Sequence, residues 1–378
     1  MLRTNTTKIL GALIFIGSIT IAKAQNEDVI LKAMTDEMNR NMKELSLKDH
    51  SKPFFIGYGI DDFKVYTAYG TLGSIISSDD NLRRSKNVWI LVGDYEFNDE
   101  SLDNNLFSEP GASEIELPLE DDYYGIRRSL WITTDVVYKS AAKKYQKHVE
   151  LLKEQNKTLK DLPHRTFAKV PVITQVTQEK VEQADLKEYD NYVKEISGLF
   201  KSMPDITFSG VFLTAVRGYQ YYVNSEGTVI KTLHQITMMG VNVGIQSPKG
   251  NFVQDQVMYY ARTPKGLPKL SVVMSETKTM AENLLKDRKT EPITEDYVGP
   301  VLFLDESVGG IFERALFSMN ESLIASNTIR TPNSYGQEFN ATLESKIGKS
   351  IIDPSITVLA KPMLKEFKST PLLGTFEI

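Results

Sequence analysis

Between Ile206 and Val243 the sequence settles into a strand-forming period, and this constrains the fold more than any other feature. Ile206–Ala215, Gln220–Val223, Thr228–Thr232 and Gln235–Val243 are short runs rich in β-branched and aromatic residues, which read as successive strands. Asn224-Ser225-Glu226-Gly227 separates the second run from the third, and Asn and Gly suit the positive φ of a tight hairpin. Gly250–Arg262 continues the series. Strands in sequence joined by short turns imply an antiparallel sheet.

The flanking stretches are mixed. Leu31, Met34, Met38, Met42 and Leu45 keep helical spacing, predicting an amphipathic helix of about five turns. Pro53–Gly59 opens a strand-rich region that continues with Phe63–Ala68, Gly70–Ile76 and Asn87–Tyr95. Tyr123–Gln155 reads as a long helix whose wet face carries Lys139, Lys143, Lys144, Lys147 and Lys153. Pro163 and Pro171 interrupt the pattern. Leu186–Phe200 and Ser275–Arg288 return to helical spacing. The predicted class is therefore α+β, with an N-terminal α/β region over 25–200, a central antiparallel sheet over 201–292, and the beginning of a β-rich C-terminal domain over 293–378.

A chain of 378 residues is long enough for two or three domains with real cores. Its 41% hydrophobic and 25% charged content is ordinary for a folded protein. The formal charge of −5 gives nucleic-acid binding no electrostatic support. Arg3 and Lys8 precede an apolar run from Ile9 to Ile21, and Ala22-Lys23-Ala24 supplies an A-x-A site. This reads as a secretory signal, so export to the periplasm or the exterior after cleavage near Ala24 is expected. Cleavage there removes Arg3, Lys8 and Lys23 and no acidic residue, taking the charge from −5 to −8. The apolar run is short for a membrane span, and no later stretch approaches that length. With no cysteine in the sequence, disulfides and thiolate metal sites do not arise from these residues.

Tyr297–Glu321 forms a compact unit. Gly299-Pro300 marks a turn, Val301–Leu304 reads as a buried strand, and Asp305-Glu306-Ser307 carries helix-starting residue types. Val308, Ile311, Phe312, Ala315, Leu316 and Met319 then share one helical face. The unit resembles the start of the C-terminal domain of the TldD/PmbA family of metallopeptidase-related proteins. Active members run from a Gly-Pro-Val-Leu strand into a helix bearing His-Glu-x-x-x-His. Aligned without gaps from Gly299-Pro300-Val301-Leu302, that motif falls on Glu313-Arg314-Ala315-Leu316-Phe317-Ser318. Glu313 and Ser318 replace the two zinc-binding histidines, and Arg314 replaces the catalytic Glu. Three further stretches are similar to the family: Leu130-Trp131-Ile132-Thr133-Thr134-Asp135-Val136-Val137-Tyr138-Lys139, Asn224-Ser225-Glu226-Gly227 and Lys346-Ile347-Gly348-Lys349. Leu373–Ile378 looks like an internal family strand, so a shortened chain is expected.

A catalytic zinc takes three protein ligands and one water. Ser318 is a poor substitute for imidazole, and Arg314 stays protonated and cannot be a base. The resemblance thus implies no catalytic residue and no metal ligand at these positions. It implies instead a PmbA-like partner of an active TldD-like subunit, with zinc in that subunit and unfolded peptide as substrate. Two alternatives stay open: an active zinc peptidase with ligands beyond residue 378, and a non-enzymatic exported binding protein.

Other chemistry is thin. His50, His148, His164 and His234 form no i, i+4 pair. The acidic stretch Asp99–Asp122 is rich in oxygen ligands but lacks the calcium-loop order, so it reads as a solvated loop. No serine lies in a G-x-S-x-G setting. Leu343 stands where a phosphate loop ending in Gly348-Lys349-Ser350 needs its first glycine, and Asp62 fills the third glycine position after Gly57 and Gly59.

Overall fold

The computed structural model describes residues 28–101, 116–161, 167–182, 186–288, 295–304, 306–316 and 348–359, together with 361, 364, 366–367 and 370–371. The signal segment, His164, Ser318, most of the Lys346–Lys349 motif and the end of the chain lie outside them.

Four long strands build the sheet. β1 (Pro53–Thr71) and β2 (Ser74–Val92) form a hairpin, as do β4 (Phe208–Asn224) and β5 (Val229–Gln246). β1 also pairs antiparallel with β4, giving the order β2-β1-β4-β5. The far edge of β5 is shared by β3 (Thr174–Val176), which is parallel, and β6 (Phe252–Ala261), which is antiparallel. The class is α+β around a six-stranded, mainly antiparallel sheet. This sheet crosses the boundary drawn at residue 200, since β1 and β2 precede it and β4 to β6 follow it.

Local chemistry explains the turns. Leu72 and Gly73 both have positive φ (47° and 71°) between paired Thr71 and Ser74, so a two-residue primed turn closes the first hairpin. Gly70–Ile76, expected as one strand, therefore spans this turn. In the second hairpin the Asn224 side chain accepts from the N–H groups of Glu226 and Thr228 at 3.1 and 3.0 Å, and Gly227 takes φ 105°. Ser225 ties this turn to β1: its N–H donates to the Ile56 carbonyl and its hydroxyl accepts from the Ile56 N–H.

Successive strand residues face opposite sides, so residues of one parity share a face. Ile56, Tyr58 and Ile60 of β1, with Tyr221 and Val223 of β4, pack under α1 (Val29–Glu44) and α2 (Tyr123–Glu154). Tyr66 and Ala68 of β1, with Val211, Leu213 and Ala215 of β4, pack under α3 (Glu188–Gly198) and α4 (Leu270–Asp287). The parities match, so both helix pairs cover the same face. Strands of 17 to 19 residues run about 60 Å at 3.3 Å per residue, and a single helix pair covers only part of that length.

The C-terminal part departs from expectation. α5 (Glu306–Leu316) forms as predicted. Val301–Leu304 is not a strand, and its side chains are exposed. No described strand lies alongside to accept its backbone hydrogen bonds, and apolar content cannot make a strand without one. The remaining described strands, β7 (Glu366–Phe367) and β8 (Thr370–Pro371), make a two-residue pair. Among the described residues no helix is long and apolar enough to cross a membrane.

Candidate functional site

Of the three positions singled out by sequence, Arg314 lies exposed on α5, Glu313 lies on the same helix, and Ser318 falls outside the described residues. A guanidinium offers no lone pair, so Arg314 can serve neither as ligand nor as base. This donor set does not fit zinc. Of the histidines, His234 packs at a tilt of 35° against Phe63 with ring centroids 5.2 Å apart, and His50 Nδ1 lies 2.9 Å from the Lys48 carbonyl. His148 is buried in α2, with Nδ1 3.4 Å from the Asn98 carbonyl. The described residues contain no group of three or more His, Cys, Asp or Glu side chains placed to hold a metal.

What the fold does bring together is a charged band across the middle of the helix-bearing face, between the two helix pairs. Register aligns Asp62 of β1 with Arg84 of β2, Lys64 of β1 with Arg217 of β4, and Arg217 with Gln235 of β5. Arg84 donates through Nε to Asp62 at 2.9 Å and through Nη2 to Asp121 at 2.7 Å. Its Nη1 reaches the carbonyls of Pro118 and Glu120 at 3.0 and 2.9 Å. Burial alone would lower this guanidinium's pKa, but Asp62 and Asp121 outweigh it and the net shift is upward. Arg84 thus holds the lead-in to α2 against the sheet.

The second centre is less complete. Arg217 Nη2 donates to Asp80 Oδ2 at 2.7 Å, and Lys64 Nζ lies 3.8 Å from the same oxygen. Arg217 Nη1, Asp80 Oδ1 and Thr237 Oγ1 are buried without hydrogen-bond partners. Arg217, Gln235 and Thr237 line a cavity of about 20 Å³, on the scale of one water molecule. Nearby, Tyr66 donates to Asp190 at 2.6 Å, and burial followed by that carboxylate raises its pKa. The band couples strands, helices and loop through ion pairs. It holds no nucleophile paired with a base, so its chemistry is electrostatic and positional.

Sequence reasoning did not find this band. Arg217 and Asp80 are far apart in the chain, and neither has a motif around it. The available signal was an unusual run of charges inside strand-forming sequence, Asp61, Asp62 and Lys64.

Comparison with known proteins gives a limited result. No family model matches the sequence, and no curated protein matches it. Among solved structures, the chain is similar to a candidate modulator of a DNA gyrase from Thermotoga maritima, with TM-score 0.37 and 9% identity, over 67% of this chain and 47% of that one. It is similar to TldE from Thermococcus kodakarensis, with TM-score 0.34 and 10% identity, over 67% and 47%. A candidate modulator of DNA gyrase from Bacteroides thetaiotaomicron gives TM-score 0.37 and 9% identity, over 68% and 49%. The chain spans about half the length of these solved structures.

Proposed function

We propose that this chain is the metal-less partner subunit of an exported peptide-cleaving complex, in which a second, TldD-like chain carries the zinc. The observation that carries the reading is the aligned residue set in the sequence: Glu313, Arg314 and Ser318 stand where a zinc peptidase of this kind needs His, Glu and His. A permanently protonated arginine at the position of the base is incompatible with activating water. The role left to this chain is to help enclose an unfolded peptide beside the partner's zinc.

The surface around α5 supports a subunit contact. Val298 and Leu302 are 96% and 82% exposed, and Val308 and Ile311 on the helix are exposed too. Large apolar side chains left exposed along one stretch of chain are what a partner would cover. The apolar segment from Ile9 to Ile21 with Ala22-Lys23-Ala24 supports export.

The direct test is to load the purified full-length protein with zinc and offer it an unfolded peptide. Neither cleavage nor stoichiometric zinc retention is expected. Metal-dependent cleavage by this chain alone would overturn the proposal.

A further inference from the structure

A second surface, independent of α5 and of the partner-subunit reading, has the features of a binding site. Where α1 and α2 pack, Glu37 and Arg40 from the first helix meet Tyr124, Arg127, Arg128 and Trp131 from the second. Together they line an open depression of about 410 Å³, within the range of small-ligand sites.

The depression is built from the inside. Glu37 is 2% exposed and lies at its base. It accepts from Arg40 Nε through Oε1 and from Arg127 Nε through Oε2, both at 3.0 Å. Asn41 holds Glu37 Oε1 from below at 3.2 Å and is itself bonded to the buried Tyr58 hydroxyl at 2.9 Å. Arg40 also donates through Nη2 to Glu37 and to Asn41 Oδ1, and through Nη1 to Glu44 at 3.4 Å, while Arg127 Nη1 donates to the Tyr123 hydroxyl at 3.0 Å. Both guanidinium groups are thus fixed around a carboxylate anchored in the core, and Nη2 of Arg127 is left open among the described residues. The Arg40 guanidinium carbon stands 5.8 Å from the centre of the Trp131 ring, and that of Arg127 lies 5.3 Å from the Tyr123 ring. Arg128 is exposed and makes no ion pair among the described residues. Trp131 is 47% exposed, although a tryptophan with no task on a helix surface would ordinarily be packed away.

Three arginines against one glutamate leave this lining with a formal charge of +2 on a chain whose net charge is −5. A guanidinium beside an exposed aromatic face matches a planar carboxylate with an adjoining apolar group. The size of the charge argues against a polyphosphate chain. Glu37 already consumes part of the positive field, and Glu44 and Asp36 stand at the rim beside Arg40 and Tyr123. We infer that this depression binds a peptide through a single carboxylate held by Arg128 and by Nη2 of Arg127, with the neighbouring apolar side chain laid on Trp131.

The test uses the full chain carrying Trp89→Phe, which leaves Trp131 as the only tryptophan. Its fluorescence is titrated with N-acetyl-Gly-Phe-Glu-Gly-amide, with the same peptide carrying Gln in place of Glu, with inorganic phosphate and with a deoxythymidine decamer. The acidic peptide is expected to change the Trp131 signal saturably and to bind about tenfold more tightly than its Gln analogue, the usual weight of one charge-assisted contact. Arg128→Gln removes an exposed group, so it leaves the fold intact by circular dichroism and abolishes the preference. Equal binding of the two peptides, an unchanged preference in Arg128→Gln, or tighter binding of phosphate or the decamer would each overturn the assignment.

Discussion

Replacing Asp99 with Asn should uncouple stability from pH over the neutral range. Asp99 closes the loop after β2: its Oδ1 accepts the Val92 N–H at 2.7 Å, and the residue is 5% exposed. Burial pushes its carboxyl up to about 7, against the opposing pull of the Val92 and Asp99 backbone N–H groups. The ordinary value is 3.8, so between these limits the folded protein keeps a proton that the unfolded chain has lost. Stability then falls as pH rises through this window and levels off above about 7. At 1.36 kcal/mol per unit of pKa difference, the full loss is about 4 kcal/mol. Asn retains the acceptor for Val92 and carries no titrating proton. Asp99→Asn should therefore match the parent protein near pH 4 and exceed it by up to about 4 kcal/mol at pH 9. In urea unfolding that is a midpoint shift of more than about 1 M for an m-value near 3 kcal/mol/M. His148 works in the opposite sense. Burial lowers its pKa from 6.5 to about 4, so it removes stability as pH falls through that interval. It is common to both proteins and cancels in their difference. Parallel pH profiles for the two proteins would refute the reasoning.

The charged band and the sheet give two further predictions. Arg217→Met leaves Asp80 without its close cation and should cost about 3 kcal/mol, with part recovered in Asp80→Asn/Arg217→Met; chemical denaturation of the four proteins of the cycle measures this coupling. Gly218→Ala places a Cβ 2.0 Å from the Asp62 carbonyl and 2.8 Å from Phe63 Cα, both backbone atoms. The β1–β4 ladder must part there, so a loss of at least about 3 kcal/mol is expected, with amide exchange increased along both strands.

The helices were legible because their signals are local. α1 and α2 follow from the spacing of Leu31 to Leu45 and from the run after Asp122, which caps Tyr124 and Gly125. The turn at Asn224–Gly227 was legible for the same reason, since its bonds close within a few residues. The strands were located but cut short. The breaks fall at 216–219, where Arg217 and Gly218 interrupt the run in β4, and at Leu233-His234 in β5, and Asp62, Lys64 and Arg84 interrupt the apolar pattern of the first hairpin. Those charges lie between two helix pairs on one face, where ion pairs replace hydrophobic contacts. Nothing local announces this, because Arg217 meets Asp80, and β1 meets β4, across more than a hundred residues. Val301–Leu304 shows the converse: its composition is that of a buried strand, yet a strand exists only where a neighbour pairs with it. Trp131 was noticed as part of a motif, but its place beside Arg40 depends on how α1 packs on α2.

The central claim is that this chain works beside a second, zinc-bearing subunit. Native mass spectrometry of the full-length protein, purified gently from its own cells, tests that claim most directly. A heterodimer whose zinc stays with the other chain on dissociation, and a subunit mass lacking the first 24 residues, is the predicted result. A homo-oligomer carrying zinc on this chain would contradict it.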